Sequence, residues 1–216
     1  MYYANVNQHS IPASRIITVT GNGKVLARAN YAQLQIEVST QGQSVQETQQ
    51  ENASIMNRVL QSILALNIPR ENVQTAAYTI APLYDFVDGK QVFKGYEVTN
   101  AITVKIPDTN QVGSVIDTAV HNGANRISSI QFKIDNADVY YQQALSLALH
   151  NAQMKAKTIA ETMQLSLHPQ PIEIVEEHEN GPVLYRSMAM AESTISTPIE
   201  QGQMTISATV RVKFQY

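Results

Sequence analysis

Alternating apolar and polar residues predict several strands along this chain. The period of two, typical of a strand with one buried face, runs through residues 32–40 and again through 127–134, where the predicted inner face is Ser128, Ile130, Phe132 and Ile134. It is clearest in residues 203–216, where the inner face is Met204, Ile206, Ala208, Val210, Val212 and Phe214. Near the N-terminus, residues 16–20 precede Gly21-Asn22-Gly23, which predicts a strand, a turn and a second strand.

Two longer segments predict a hairpin. Residues 73–87 and 92–106 are rich in Val, Tyr, Thr and Ile, and Asp88-Gly89 between them is a turn signal. Pro82 lacks a backbone N–H, so it should lie at a sheet edge, a bulge or a break. Further along, residues 172–175 predict a short strand, followed by an acidic turn over 176–182.

Helical spacing predicts three helices. Ser44 with Glu47 three positions later has the spacing of a capping box, so the first helix should begin there and end near Pro69. Its predicted inner stripe is Val45, Thr48, Asn52, Ile55, Met56, Val59, Ile63 and Leu66. Asp108 should cap a second helix that closes at Gly123.

The third and longest helix should begin at Asn136 or Asp138 and run to about residue 165. Alanine recurs at every fourth position, at Ala144, Ala148, Ala152, Ala156 and Ala160. Such a ridge of small residues allows close approach to a sheet or another helix. The elements together predict an α+β fold, with mixed or antiparallel sheets of long strands packed against about three helices.

Composition limits the possible functions. The 216 residues are 44% hydrophobic, enough for one large domain or two small interlocked ones. A formal charge of -3 argues against nucleic acid as a partner. The absence of cysteine excludes disulfides and thiol nucleophiles without indicating a compartment. No apolar run reaches membrane-spanning length, and residues 1–15 lack a signal-peptide pattern. We therefore predict a flexible leader over residues 1–15, no membrane span and a cytoplasmic location, with an exported or surface-associated protein as the alternative.

Candidate chemical sites each have a simpler structural interpretation. Gly21-Asn22-Gly23 lacks the rest of a dinucleotide fingerprint, so we interpret it as a turn. Asp117 and His121 have the i, i+4 spacing of a surface pair, and the cluster Glu176, Glu177, His178 and Glu179 is better explained as a solvated turn than as a cation site. The five histidines form no metal-ligand motif: His9, His121, His150, His168 and His178.

Hydroxyl and thioether groups give no stronger signal. Ser187, Ser193 and Ser196 lie in no nucleophile motif. Met188 and Met190, close to Tyr185, could form an oxidisable contact surface, although packing or a mobile loop is the favoured interpretation. We therefore assign no catalytic, cofactor-binding or metal-binding residue and predict no cofactor.

The order of several short motifs identifies a family resemblance. These motifs are Ile17-Thr18-Val19-Thr20-Gly21-Asn22-Gly23, Gln74-Thr75 through Pro82-Leu83-Tyr84, Gly95-Tyr96-Glu97-Val98-Thr99-Asn100, Gly123-Ala124, Ile130-Gln131-Phe132, Lys155-Ala156-Lys157 and the closing strand. In this order, over residues 16–216, the chain resembles the SIMPL-domain family of YggE-type bacterial proteins. It departs from that pattern at residues 29–32, where a Pro-Asp pair is expected, and in lacking an export signal.

The resemblance implies a SIMPL-type domain over residues 16–216, a tendency to form large ring-like homo-oligomers, and a link to stress protection or the cell envelope. It implies no established catalytic site. The leading hypothesis is therefore a non-enzymatic, self-assembling protein. The alternative is a small-molecule-binding protein, its ligand unknown, with a pocket between helices and sheet near Tyr84 and Tyr96. An enzyme would need distant groups to converge and ranks last.

Overall fold

The computed structural model describes residues 15–177, 183–185 and 197–216. The strands and helices of these residues are, in chain order, β1 (Ile16–Arg28), β2 (Tyr31–Gly42), α1 (Val45–Leu64), β3 (Val73–Val87), β4 (Lys90–Ile106), α2 (Val112–His121), β5 (Arg126–Lys133), α3 (Ala137–Thr162), β6 (Pro171–Glu177), β7 (Val183–Tyr185) and β8 (Gln203–Gln215). Single turns of 3-10 helix precede β3 and α2. The predicted α+β fold is confirmed.

Two four-stranded sheets organise the chain. One has the order β3-β4-β2-β5 with every neighbouring pair antiparallel, and the other has the order β1-β8-β6, with β7 also paired to β8. The chain divides into two compact units. Of the described residues, the β2–β5 unit comprises 28–135, 184–185 and 197–204, and the α3 unit comprises 15–27, 136–177, 183 and 205–216.

The core of the β2–β5 unit lies between its sheet and the helices α1 and α2. Leu34, Ile36 and Val38 of β2 are fully buried in this core, together with Val59 and Ile63 of α1. The alternation predicted for residues 32–40 is therefore confirmed. Burial of these branched side chains stabilises the unit by about 25 cal/mol per Å² of apolar surface removed from water.

The predicted inner face of β5 is wrong at Ser128, and Ile130, which was also predicted on it, remains 38% exposed. A register shift at β2 places Leu34 opposite Ile130 but Ile36 opposite Ile127. This bulge removes Ser128 from the row of residues that faces the core and puts Ile127 in its place. Alternation in the sequence cannot show a bulge, because the extra residue looks like any other polar position.

The starts of α1 and α2 agree with the sequence, whereas the end of α1 does not. The Ser44 hydroxyl accepts a hydrogen bond from the Glu47 amide at 3.5 Å, as predicted. The Asp108 carboxylate accepts from the Asn110 amide at 3.0 Å and caps the 3-10 turn before α2. Helix α1 ends at Leu64 rather than near Pro69, because the chain reverses into a left-handed conformation at Asn67, with φ 61°.

The turn predicted at Gly21-Asn22-Gly23 is wrong. Strand β1 continues through all three residues. A Cβ atom at Gly21 would overlap the carbonyl oxygen of Ala148, and one at Gly23 would overlap that of Ala144. The glycines are needed because the backbone of α3 lies directly on β1, which is the close approach that the alanine ridge allows.

The core of the α3 unit is built from that ridge and β8. All five ridge alanines are buried, as are the six alternating inner residues of β8, so both predictions are confirmed. Of the six, Ala208, Val210, Val212 and Phe214 pack with the ridge in this core. Strand β6 includes Glu176 and Glu177, so the acidic turn predicted over 176–182 is wrong for these two residues. Residues 178–182 lie outside the described chain.

Candidate functional site

The β3–β4 hairpin extends beyond the sheet that carries it. Pairing between β2 and β4 ends with Gly42 opposite Tyr96, so residues 83–95, which we call the ribbon, pair only with one another in the described structure. Asp88 and Gly89 form its turn, with φ 51° and 75°, as in a type I′ hairpin. Five apolar side chains of the ribbon are between 46% and 76% exposed: Tyr84, Phe86, Val87, Val92 and Phe93.

Aromatic contacts and polar bonds hold the base of the ribbon. The Phe93 ring packs edge-to-face between Tyr84 and Tyr96, with centroid distances of 5.8 and 5.2 Å. An exposed ion pair joins Asp85 to Lys94 at 3.3 Å, and the Gln43 side chain donates to the Lys94 carbonyl at 2.5 Å. Tyr84 and Tyr96 are thus brought together through Phe93 at the base of the ribbon, rather than in a pocket between helices and sheet.

Strand β3 forms one end of its sheet, so of the edge, bulge or break predicted for Pro82 the structure has the edge. Residues 73–84, which we call the β3 edge, contain no charged residue, and Tyr78 and Ile80 on it are 47% and 40% exposed. The other long end strands all carry charges: Lys24 and Arg28 on β1, Arg126 and Lys133 on β5, and Glu173, Glu176 and Glu177 on β6. Charges on an end strand discourage pairing with another chain, and so does proline. Residues 73–84 have no charge, because the one charge of β3 is Asp85 in the ribbon, and Pro82 is their one residue that discourages pairing.

Two carboxylates lie in a polar network on β2, β4 and β5. Glu97 accepts hydrogen bonds from Gln41 Nε2 at 3.0 Å and from Ser39 Oγ at 2.9 Å, and these two bonds hold its pKa below the ordinary value. Glu37 is buried and lies 3.6 Å from the Arg126 guanidinium. Each carboxylate has its own donors, and they lie several residues apart along the sheet. The network therefore has a structural role rather than the form of an acid–base pair.

Asn52 is a buried polar residue whose role the sequence does not reveal. It lies in the predicted apolar stripe of α1 and is fully buried. Its Nδ2 donates to the carbonyl oxygens of Val38 on β2 and Val98 on β4, each at 2.9 Å. The amide therefore joins the helix to both central strands.

The predicted chemical candidates have other partners in the structure. Asp117 accepts hydrogen bonds from the Thr197 hydroxyl and backbone N–H, which lower the pKa of that carboxyl, so its partner is Thr197 and not the predicted His121. Glu176 accepts from the Tyr141 hydroxyl, which raises the pKa of that tyrosine. Glu177 forms an ion pair with Arg211.

The histidines, hydroxyls and methionines do not form a described site. His121 ends α2 and His150 is exposed on α3, while the backbone N–H of His168 donates to Gln215. Within residues 15–177, 183–185 and 197–216, no group of three metal-ligating side chains comes together. The remaining candidates lie outside the described residues: His9, His178, Glu179, Ser187, Ser193, Ser196, Met188 and Met190. For Tyr185 the structure describes the backbone alone, in β7.

A cavity in the α3 unit was not predicted from the sequence. It has a volume of about 300 Å³ and lies between the C-terminal part of α3, the segment that follows it and β8. Its apolar lining is Ala160, Leu165, Leu167, Pro169 and Phe214. Lys157 and Glu161, an exposed ion pair at 3.7 Å, also line it. All of the lining residues except Phe214 come from residues 153–169, and the cavity is formed where this stretch meets Phe214 of β8.

Comparison with known proteins identifies the family. Residues 17–214 match the SIMPL family, described as "Protein of unknown function (DUF541)". The chain belongs to the SIMPL family. It is 29% identical to the "26 kDa periplasmic immunogenic protein" of Brucella melitensis over 99% of this chain and 89% of that protein. It is 26% identical to "Uncharacterized protein YggE" of Escherichia coli strain K12 over 74% of this chain and 65% of that protein.

Among SIMPL relatives, the Brucella proteins correct one prediction. Those of Brucella melitensis and Brucella abortus are both named as periplasmic, so the predicted cytoplasmic location is wrong. That prediction depended on not finding a signal-peptide pattern, which is weak negative evidence. None of the described helices has the length and apolar character needed to cross a membrane.

The expected departure from the SIMPL pattern has a local explanation. Asn30 lies in the short connection between β1 and β2, and its side-chain oxygen accepts a hydrogen bond from the Asp135 amide at 3.0 Å. Its own backbone N–H donates to the Lys133 carbonyl, also at 3.0 Å. Asn30 therefore ties the start of β2 to the end of β5.

Proposed function

We propose that this chain is a non-enzymatic, self-assembling protein of the periplasm with a protective role under stress. The observation that carries the proposal is the exposed, apolar β3–β4 hairpin. Its ribbon presents aromatic side chains without a described partner strand, and its β3 edge has no charge to discourage association. Two of the SIMPL relatives, named as periplasmic, support the compartment.

Assembly is tested by the mass of the whole chain in solution. Light scattering after size-exclusion chromatography, over a hundredfold range of protein concentration, should give a mass several times that of the 23.9 kDa chain. A monomer at every concentration would contradict the proposal. The measurement addresses self-association without assuming which surface carries it.

Phe86→Ser tests the contribution of the ribbon. Phe86 is 76% exposed, so the change should leave the fold intact and remove an apolar contact made only in the assembly. We expect the association constant to fall at least about tenfold, the equivalent of about 1.4 kcal/mol. Leu26→Ser is the matched control, because Leu26 on β1 is 66% exposed. An equal loss in both variants would mean that the ribbon has no special part in assembly.

The protective role depends on family membership and needs a cellular test. Deletion of the gene in its native cell should increase sensitivity to one or more envelope or oxidative stresses, and the intact gene should restore resistance. Restoration by Leu26→Ser but not by Phe86→Ser would connect protection to assembly. Absence of any stress phenotype across a broad panel would contradict this part of the proposal.

The cavity in the α3 unit favours a second function, binding of a small apolar molecule. Its volume of about 300 Å³ lies at the lower end of the range for ligand sites. Lys157 beside the apolar lining could attract a negatively charged end group. This site differs from the one predicted near Tyr84 and Tyr96, and it lies wholly within one unit.

Leu167→Trp tests the cavity. The larger side chain should occupy the space, so saturable binding of 1-anilinonaphthalene-8-sulfonate to the unmodified protein should weaken at least about tenfold in the variant. Leu147→Trp, on an exposed position of α3, is the control and should bind the probe as the unmodified protein does. No saturable binding, or equal binding in all three proteins, would contradict this second function.

A further inference from the structure

We infer that the β3 edge pairs with the β3 edge of a second copy, antiparallel, about a two-fold axis at Thr79. This inference rests on the proposed self-assembly and specifies its surface and register. The β3–β4 register is irregular at Thr75/Ala77 and at Leu83/Tyr84. Between these points, residues 77–83 form a regular strand whose outer side has no neighbour in the described structure.

Pro82 indicates which residues of β3 turn their backbone groups outward. Proline lacks an N–H and is tolerated in an end strand where that group would point away from the neighbouring strand. Because the strand repeats every two residues, Tyr78 and Ile80 share this orientation. Their N–H and C=O groups are therefore available to a second strand.

The sequence of the strand is complementary to itself about Thr79. An antiparallel two-fold pairing there places Tyr78 opposite Ile80 of the second copy, and Ile80 opposite its Tyr78. These residues are the ones with outward N–H and C=O groups, so each pair can exchange both of its backbone hydrogen bonds. Aromatic side chains opposite β-branched ones are also among the favourable cross-strand pairs, and both side chains are half exposed before pairing.

The next positions fit the same register as far as Pro82, which would lie opposite Ala76 of the second copy and, having no N–H, ends the hydrogen-bonded pairing there. Thr79 meets Thr79 of the second copy, also a favourable pair, and Ala77 meets its Ala81 without steric conflict. In a two-fold interface the same surface of both copies meets. A charged strand would therefore bring like charges close together. The β3 edge has none, whereas the other long end strands do. A second copy of this chain is therefore the occupant that the strand fits.

Single cysteines test the register directly, because the chain contains no cysteine of its own. In a non-hydrogen-bonded antiparallel pair the Cα atoms lie about 4.5 Å apart, within the range for a disulfide. Thr79→Cys should therefore form a disulfide-linked dimer under mild oxidation, at least about tenfold faster than Leu26→Cys. A mixture of the Tyr78→Cys and Ile80→Cys chains should cross-link more than either chain alone.

Each other outcome overturns a stated part of the inference. Fastest dimer formation by Tyr78→Cys alone, or by Ile80→Cys alone, would move the axis and overturn the register. An oligomer by light scattering in which Thr79→Cys cross-links no faster than Leu26→Cys would overturn β3 pairing while leaving self-assembly standing. A monomer by light scattering would contradict both self-assembly and β3 pairing.

Charge substitutions at the same position give an independent check without oxidation. Thr79→Lys places two ammonium groups opposite each other and Thr79→Glu two carboxylates, so each chain alone should lose β3 pairing. Mixing the two chains should restore it. Failure of the mixture to associate more strongly than either chain alone would contradict the two-fold contact. Circular dichroism of each variant verifies that the exposed substitution leaves the fold intact.

Discussion

Replacing Gly21 or Gly23 with alanine should lower the free energy of unfolding of the α3 unit by at least about 3 kcal/mol, the upper end of the usual cost of overpacking. The new Cβ atom would overlap a backbone carbonyl oxygen of α3, that of Ala148 or Ala144. A backbone atom cannot rotate away as the end of a side chain can. Either β1 or α3 must therefore shift, which disturbs the ridge-to-strand contact. Urea unfolding followed by circular dichroism measures the loss.

Gly89→Ala separates this effect from the general cost of replacing glycine. No atom lies within 4 Å of a Cβ built at Gly89, but its φ of 75° is unfavourable for alanine, so its cost should be about 1 kcal/mol. Gly21→Ala and Gly23→Ala should both exceed it clearly. A loss at Gly21 no larger than that at Gly89 would contradict the close contact between β1 and α3.

These glycines also show how far sequence reasoning reaches. The pattern Gly21-Asn22-Gly23 predicts a turn because glycine most often supplies unusual backbone angles. Here the requirement comes from α3, more than a hundred residues away in the chain, so no local signal could reveal it. The alanine ridge was visible in the sequence, but the strand on which it packs was not.

Elements with strong local signals were predictable. The alternation of β8, the capping of α1 by Ser44 and the turn at Asp88-Gly89 each depend on residues close in sequence, and all three are confirmed. The bulge at Ser128 and the end of α1 depend on neighbouring elements. The sequence therefore places Ser128 on the wrong face and the end of α1 too late in the chain. Local chemistry sets what an element can be, whereas its register and limits depend on what it packs against.

The candidate site follows the same division. The hairpin was predicted, and the uncharged residues 73–84 of its first arm are visible in the sequence, but their exposure depends on strand order. If another strand covered β3, the same residues would be ordinary core. The order β3-β4-β2-β5 makes them an edge, and this topological fact turns an apolar strand into a candidate surface for association.

Asn52→Asp should destabilise the β2–β5 unit by an amount that increases with pH. The substitution keeps the shape of the side chain but replaces the Nδ2 donor with an oxygen that faces the carbonyls of Val38 and Val98. A buried carboxylate between two acceptors strongly favours protonation, so the pKa of the introduced carboxyl should be raised by about 3 units in the folded state. At neutral pH this corresponds to about 4 kcal/mol.

The sign of the pH dependence follows from that shift. At low pH the introduced carboxyl is protonated in both the folded and the unfolded state, so its ionisation costs the folded state nothing. As pH rises above the unfolded pKa of about 3.9, the unfolded state ionises first and the folded state loses stability. This loss is complete once pH passes the raised folded pKa. Relative to the unmodified protein, the variant should therefore be least destabilised near pH 3 and progressively more so up to about pH 7.

Asn57→Asp is the matched control, because Asn57 is exposed on the same helix. The same chemical change there should alter the free energy of unfolding by less than about 0.5 kcal/mol, with little dependence on pH. Urea unfolding at several pH values measures both variants. A pH-independent loss at Asn52, equal to the loss near pH 3, would show that the introduced carboxyl has reached water or a donor. The site where the Asn52 amide joins α1 to the two central strands would then not be shielded from water.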